Sequence, residues 1–161
     1  MTPHTPLRAD LQALLDVYRK ALNELITLIT PLSDAQLCAI ADPHTPDPDC
    51  VSIQSILRHI VQSGYGYTVF VEHAVGQHDA QRPEPQTVQS AKQYVSKLNS
   101  MFIYCEQCFQ KNAPAIAQHL DEGNRINTPW GQIFDIDQMM SHAIVHVLRH
   151  HRQIVRFIAL G

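Results

Sequence analysis

Three histidines recur every fourth residue toward the end of the chain: His142, His146 and His150, within Ser-His-Ala-Ile-Val-His-Val-Leu-Arg-His-His-Arg-Gln-Ile. An interval of four puts their imidazoles on one face of a helix, about 6 Å apart along the axis per step. Neighbouring rings can then turn onto one divalent ion. Histidine is an indifferent helix former, so local propensity does not account for three in step. Ten histidines in 161 residues are the compositional anomaly of this sequence.

A helical wheel at roughly 100° per residue sorts the three. Ile136, Met139, Ala143, Val147, Ile154, Phe157 and Ile158 define the arc toward a core. His150 falls inside that arc, His146 at its border, and His142 further out. His146 and His150 are therefore the expected ligands, with His142 at the rim. Two ligands leave a metal under-coordinated, so another helix must supply a third. Only His59 and His73 lie on another long helical stretch. His59 has nearly the offset from its apolar stripe that His146 has from its own, whereas His73 turns toward solvent near the far end. His59 is the expected third ligand. Three neutral imidazoles keep a position open, as catalytic sites do; closed structural sites usually have four protein ligands. Imidazole suits zinc, nickel, copper or iron, so ligand type does not select the ion.

The elements that must position these residues are all helical. Leu7, Leu11, Leu14, Leu15, Tyr18, Leu22, Leu25 and Ile29 follow three-and-four spacing and predict a long amphipathic helix over 6–30. Ser33 with Gln36 is a capping-box spacing for a short helix to about Ile40. The run Asp42-Pro43-His44-Thr45-Pro46-Asp47-Pro48-Asp49 reads as irregular, with His44 an exposed loop residue. Ser52 predicts the N-cap of a second long helix to about Val75, stopped by Gly76. Thr87 is expected to open a third, to about Gln110, and a short helix follows Pro114. Residues 125–134 read as an ordered loop or short extended pair, and Asp135 with Gln138 caps a fourth long helix to about Leu160. Four long amphipathic helices with no credible strand run predict one all-α domain over 1–161, a four-helix bundle with short extra helices in its connections.

Composition narrows the function classes. The chain is 45% hydrophobic and 17% charged with net charge −3, so no basic stripe for nucleic acid or an anionic membrane is expected. No apolar run is long enough to span a bilayer. Met-Thr-Pro-His-Thr-Pro-Leu-Arg-Ala-Asp lacks a basic segment leading into an apolar one, so no secretory signal is expected and the cytoplasm is the default location. Cys38, Cys50, Cys105 and Cys108 do not form a disulfide framework, and the Cys105-x-x-Cys108 pair reads as core packing inside a helix.

Two segments carry a family resemblance: Ser52-Ile-Gln-Ser-Ile-Leu-Arg-His59-Ile-Val61 and His142-Ala-Ile-Val-His146-Val-Leu-Arg-His150-His151-Arg152-Gln153-Ile154. On these the chain resembles the DinB-like family of four-helix-bundle metalloproteins, which includes YfiT-like proteins and thiol-dependent transferases. The family commonly shows histidine, arginine, glycine, glutamine after its HxxxH; here His150 is followed by His151, Arg152 and Gln153, so only the glutamine is in register. The resemblance implies a divalent metal, zinc or nickel first, held by His59, His146 and His150. It also implies a metal-dependent enzyme on a small-molecule substrate: either an S-transferase using a low-molecular-weight thiol or a hydrolase of small electrophiles. The alternative is a non-catalytic, stress-associated metal-binding bundle.

No general base is assigned. Glu72 and Glu106 are candidates by charge alone and read as solvated surface; Tyr67 reads as packing, Tyr65 as a hydrogen-bond donor near the site, and Trp130 as cover for a bundle end ahead of the alternative that it lines a pocket. Ile144, Leu148 and Val155, with His151 among them, lie on the side of the last helix opposite its core face. Their spacing is that of a coiled-coil-like seam and predicts a homodimer through this stripe.

Overall fold

The computed structural model describes residues 6–123 and 125–161. Half of the ten-residue start from which the absence of a secretory signal was read lies outside them. The elements are α1 (Ala9–Ile29), α2 (Asp34–Cys38), a 3-10 turn (Pro48–Cys50), α3 (Ile53–Ala74), α4 (Ala91–Lys111), α5 (Ala113–Asp121), β1 (Ile126–Asn127), β2 (Ile133–Phe134) and α6 (Ile136–Leu160). The four long helices form a bundle in which α6 packs between α1 and α3, and α4 closes the ring against α3 and α1. The domain is all-α apart from the two-residue antiparallel strand pair, Ile126 opposite Phe134. No helix among the described residues is long and apolar enough to cross a membrane.

Each long helix buries the stripe its sequence periodicity predicts. Leu11, Leu15, Tyr18, Leu22, Leu25 and Ile29 line one core-facing side of α1; Ile56, Ile60, Tyr67 and Val71 do so on α3. Burying one such side chain contributes about 1.5–3 kcal/mol before conformational entropy is counted. Helices α3 and α4 come close together at Gly64, where a Cβ would stand 2.4 Å from the sulfur of the fully buried Met101. That sulfur also accepts a hydrogen bond from the Tyr18 hydroxyl at 3.5 Å, so three helices converge on one thioether. Cys105 and Cys108 are buried in α4, and burial pushes both thiols up to about 12. They are packing groups, as read from the sequence.

Helix starts follow the capping logic. Ser33, Ser52 and Asp135 each accept from the backbone N–H three residues on, and Gln36, Ser55 and Gln138 reciprocate. The third long helix departs from expectation. It starts at Ala91, not near Thr87, because Ser90 forms a reciprocal capping box with Gln93. Residues ahead of Ser90 are instead drawn along α3 as an extended strap. His73 donates to the Ala80 carbonyl at 2.8 Å, Gln62 to the Pro83 carbonyl at 2.9 Å and Gln54 to the Val88 carbonyl at 2.7 Å. The donors descend α3 as the acceptors ascend the strap, so the strap runs antiparallel to the helix. Pro83 and Pro85 fit there because they lack N–H groups that would need partners.

Three further expectations are corrected. Pro48–Cys50 is not irregular: Asp47 caps a 3-10 turn there, accepting from the Asp49 N–H at 2.9 Å. Glu72 is not solvated surface: it is buried and accepts a hydrogen bond from the Tyr104 hydroxyl. Ile144 is not on an outer seam, for it is buried in the chain's own core, while Leu148 and Val155 remain 41% and 43% exposed. On the wheel Ile144 lies only about 80° from Ile136, at the flank of the core arc, and α6 is packed by both α1 and α3.

Candidate metal centre

The site begins with two caps. Ser52 fixes the start of α3, and a backbone bridge between Ile40 and Ser52, with Ala41 and Asp42 donating to the Val51 carbonyl, ties the preceding loop to it. This holds the 3-10 turn beside the first two turns of α3. On the opposite side, Asp135 fixes the start of α6, so every histidine on that helix has a set rotation. Arg125, just ahead of β1, bonds to Asp135 at 3.4 Å and Gln138 at 3.3 Å, locking the strand pair to the same cap.

His59 of α3 then meets His146 and His150 of α6. The His59 and His146 Nε2 atoms stand 2.8 Å apart, and ligand atoms of all three rings lie within 4.8 Å of one another. Ring centroids are 4.8 Å apart for His59 and His146, 5.2 Å for His59 and His150, and 4.5 Å for His146 and His150. Two nitrogens bound at about 2.1 Å to one tetrahedral ion stand roughly 3.4 Å apart, so a small rotation of one ring brings the closest pair to ligand spacing. The three residues chosen from spacing are the three that this structure brings together, and the cluster could hold a metal ion.

The outer nitrogens are held by partners that aim the inner ones. The Asp49 carboxylate lies 3.2 Å from His59 Nδ1. Gln153 Oε1 accepts from His150 Nδ1 at 3.0 Å, which leaves Nε2 of that ring for the cluster. Cys50 links the 3-10 turn to one of these supports, its thiol lying 3.3 Å from an Asp47 carboxylate oxygen and 3.7 Å from Gln153 Oε1. Such outer hydrogen bonds fix the tautomer and orientation of ligating imidazoles. The sequence shows Gln153 in register with the histidines, but gives no sign that residue 49 reaches residue 59; that contact depends on the fold of the 3-10 turn.

Burial keeps the two α6 rings neutral. Burial pushes His146 down to about 2, with His150 and His59 adding to the shift. Burial also lowers His150, against the opposing hydrogen bond to Gln153. Neutral imidazole is the form that binds metal. His150 is 1% exposed, whereas the His59 side chain is 30% exposed and His146 is partly exposed, so solvent reaches the cluster past His59 and His146 but not past His150.

The remaining candidates separate clearly. His142 does not join the three: it is stacked on Trp130 at 5.0 Å between ring centres and 14° between planes. Trp130 sits in the β1–β2 turn, and Tyr67, Phe70 and Phe134 approach it or His142 at 5.3–6.3 Å. Trp130 is thus the outer plate of an aromatic wall beside the cluster, where the sequence suggested a bundle-end cover. Tyr67 packs in the core as expected and also presents its ring edge-on to His146 at 5.7 Å. Burial pushes its hydroxyl up to about 12, so it stays protonated. Tyr65 pairs with Tyr104 at 5.4 Å. Glu106 bridges to Arg19 at 3.9 Å. His73 holds the strap.

On the open side, a polar cavity of about 450 Å³ adjoins His59, walled by the second and third turns of α3 and by the strap. An all-α bundle with a three-histidine cluster beside such a cavity defines a class, a helical bundle able to carry a metal centre with access for small molecules. Comparison of the chain with protein-family models, with curated proteins and with solved structures returns no match in any of the three.

Proposed function

We propose that this chain is a DinB-like metalloprotein that binds one divalent ion, zinc or nickel, through His59, His146 and His150, and uses it in an enzymatic reaction on a small electrophile. The observation that carries this reading is the convergence of three imidazoles, two with outer nitrogens held by Asp49 and Gln153. A closed structural site would have four protein ligands and no approach; here there are three, and a cavity adjoins the partly exposed His59. This favours an enzyme over a non-catalytic metal-binding bundle.

A divalent ion with an open position supplies Lewis acidity, lowering the pKa of a bound water or thiol and polarising an electrophile. The chain's own residues set the conditions for that chemistry. Burial of His146 and His150 keeps them unprotonated as donors. Tyr67, Trp130 and His142 exclude water from one flank of the cluster. His59 faces the side from which substrate arrives. Hydrolysis by water and transfer to a low-molecular-weight thiol are the two reactions this arrangement serves. A panel pairing cellular thiols and water with small electrophiles, run on metal-loaded protein and on the His146→Ala variant, separates them. The reading is supported by turnover that needs the metal and fails if no pairing turns over above the variant.

A homodimer also belongs to this proposal. What supports it is the half-exposed apolar pair Leu148 and Val155 on α6. Ile144 takes no part.

A further inference from the structure

The cavity beside His59 has a charge pattern that the metal reading does not use. Arg58 and Arg82 both line it, one from α3 and one from the strap. Neither guanidinium makes a hydrogen bond or an ion pair with another described residue. Arg82 is exposed, but its guanidinium lies along α3. Its Nη1 lies over Gly66, 3.8 Å from where a Cβ would stand, and Gly66 is about two turns from His59 on the same face of α3. The Gln62 bond to the Pro83 carbonyl holds the strap at that spot. A second cavity of about 330 Å³ shares Arg58, Gln62 and Glu84 and continues toward Lys97, so the space extends away from the cluster.

Two guanidiniums with free planar forks match an oxyanion. The other charges in the lining decide which kind. Asp49 and Glu84 both border the cavity, and Asp49 is already engaged by His59. Two carboxylates oppose a phosphate dianion and tolerate a singly charged, planar group. We propose that this cavity anchors a small substrate by one carboxylate, held by Arg58 and Arg82, with the reacting end directed at the histidine cluster. The inference deepens the metal-centre reading and rests on it for that reacting end.

The test is equilibrium binding by calorimetry, using N-acetylglycine, its neutral amide N-acetylglycinamide, and inorganic phosphate. The expected result is that wild type binds the acid about tenfold more tightly than the amide and more tightly than phosphate, as charge-assisted bonds require. Arg58→Gln with Arg82→Gln abolishes the difference between acid and amide without changing metal content, and the Arg→Lys pair restores part of it. Equal binding of acid and amide by wild type, retention of the preference in the Gln pair, or tighter phosphate binding each overturns the assignment. The His146→Ala variant separates the two readings. Acid preference kept while metal is lost supports the anchor as independent of the ion. A wild type that binds no metal but keeps the preference sinks the metal centre and leaves the anchor standing.

Discussion

Asp49 stands 3.2 Å from Nδ1 of His59, and that contact decides which nitrogen of the ring turns toward His146. The carboxylate reaches there because Asp47 caps the 3-10 turn and Ser52 caps the helix that follows. Gln153 performs the same service for His150 from one turn further along α6. Replacing Asp49 or Gln153 with Ala is expected to weaken metal affinity by about 10–100-fold while leaving helicity unchanged. Competition against a chromogenic chelator measures this; affinity within twofold of wild type in both variants contradicts the roles given to them.

Gly64 lets α3 and α4 close on Met101. A methyl group there would meet its sulfur at 2.4 Å and its terminal carbon at 2.8 Å, in a side chain with no exposed surface to retreat into. Alanine normally improves a helix by about 1 kcal/mol over glycine. Here overpacking outweighs that gain, and Gly64→Ala is expected to destabilise the fold by about 1–2 kcal/mol net. Urea unfolding gives the value; a stabilised variant contradicts the close approach.

Stability should fall in mild acid. His119 is buried on α5, its Nδ1 has no hydrogen-bond partner, and burial holds it below the ordinary imidazole value of 6.5. Below about 6.5 the unfolded chain takes up a proton that the folded chain resists. The contribution is therefore fully present above that pH and is lost as pH falls through the depressed folded value. His142, His146 and His150 shift in the same direction, so several groups act together. In chelator-treated protein, His119→Leu should make the decline in stability from about pH 7 to about pH 5 shallower. Thermal melts across that range check it, and superimposable profiles contradict it.

Leu148 and Val155 lie about two turns apart on α6, half exposed, with His151 between them facing the α1 residues Glu24 and Leu28 across a shallow groove. A charge at Leu148 is expected to convert a dimer to monomer without stripping metal. Sedimentation velocity of wild type and Leu148→Glu tests this, and a monomeric wild type ends the proposal.

The helices were legible because each carries its own local signals. Ser33, Ser52 and Asp135 were read as caps and act as caps, and the apolar stripes of α1 and α3 point where their periods say. Periodicity also fixed the three metal candidates, since a wheel gives the angle between a histidine and the core directly. What the wheel missed was long-range. Thr87 does not open the helix because Gln54 and Gln62 hold the strap by its carbonyls, contacts 34 and 21 residues away in sequence. Ile144 was misplaced because a wheel does not say how far round α1 and α3 reach. Asp49, Arg58 and Arg82 meet around His59 only once the strap and the 3-10 turn are laid against α3, so no local pattern announces them.

His59, His146 and His150 are expected to hold one divalent ion between them. Elemental analysis of protein purified without an affinity tag, after incubation with zinc or nickel and removal of free metal, tests it most directly. Close to one ion per chain is expected, lost in His59→Ala, His146→Ala and His150→Ala and retained in His142→Ala. A wild type that leaves the column without metal, or that keeps its ion when His146 is replaced, contradicts it.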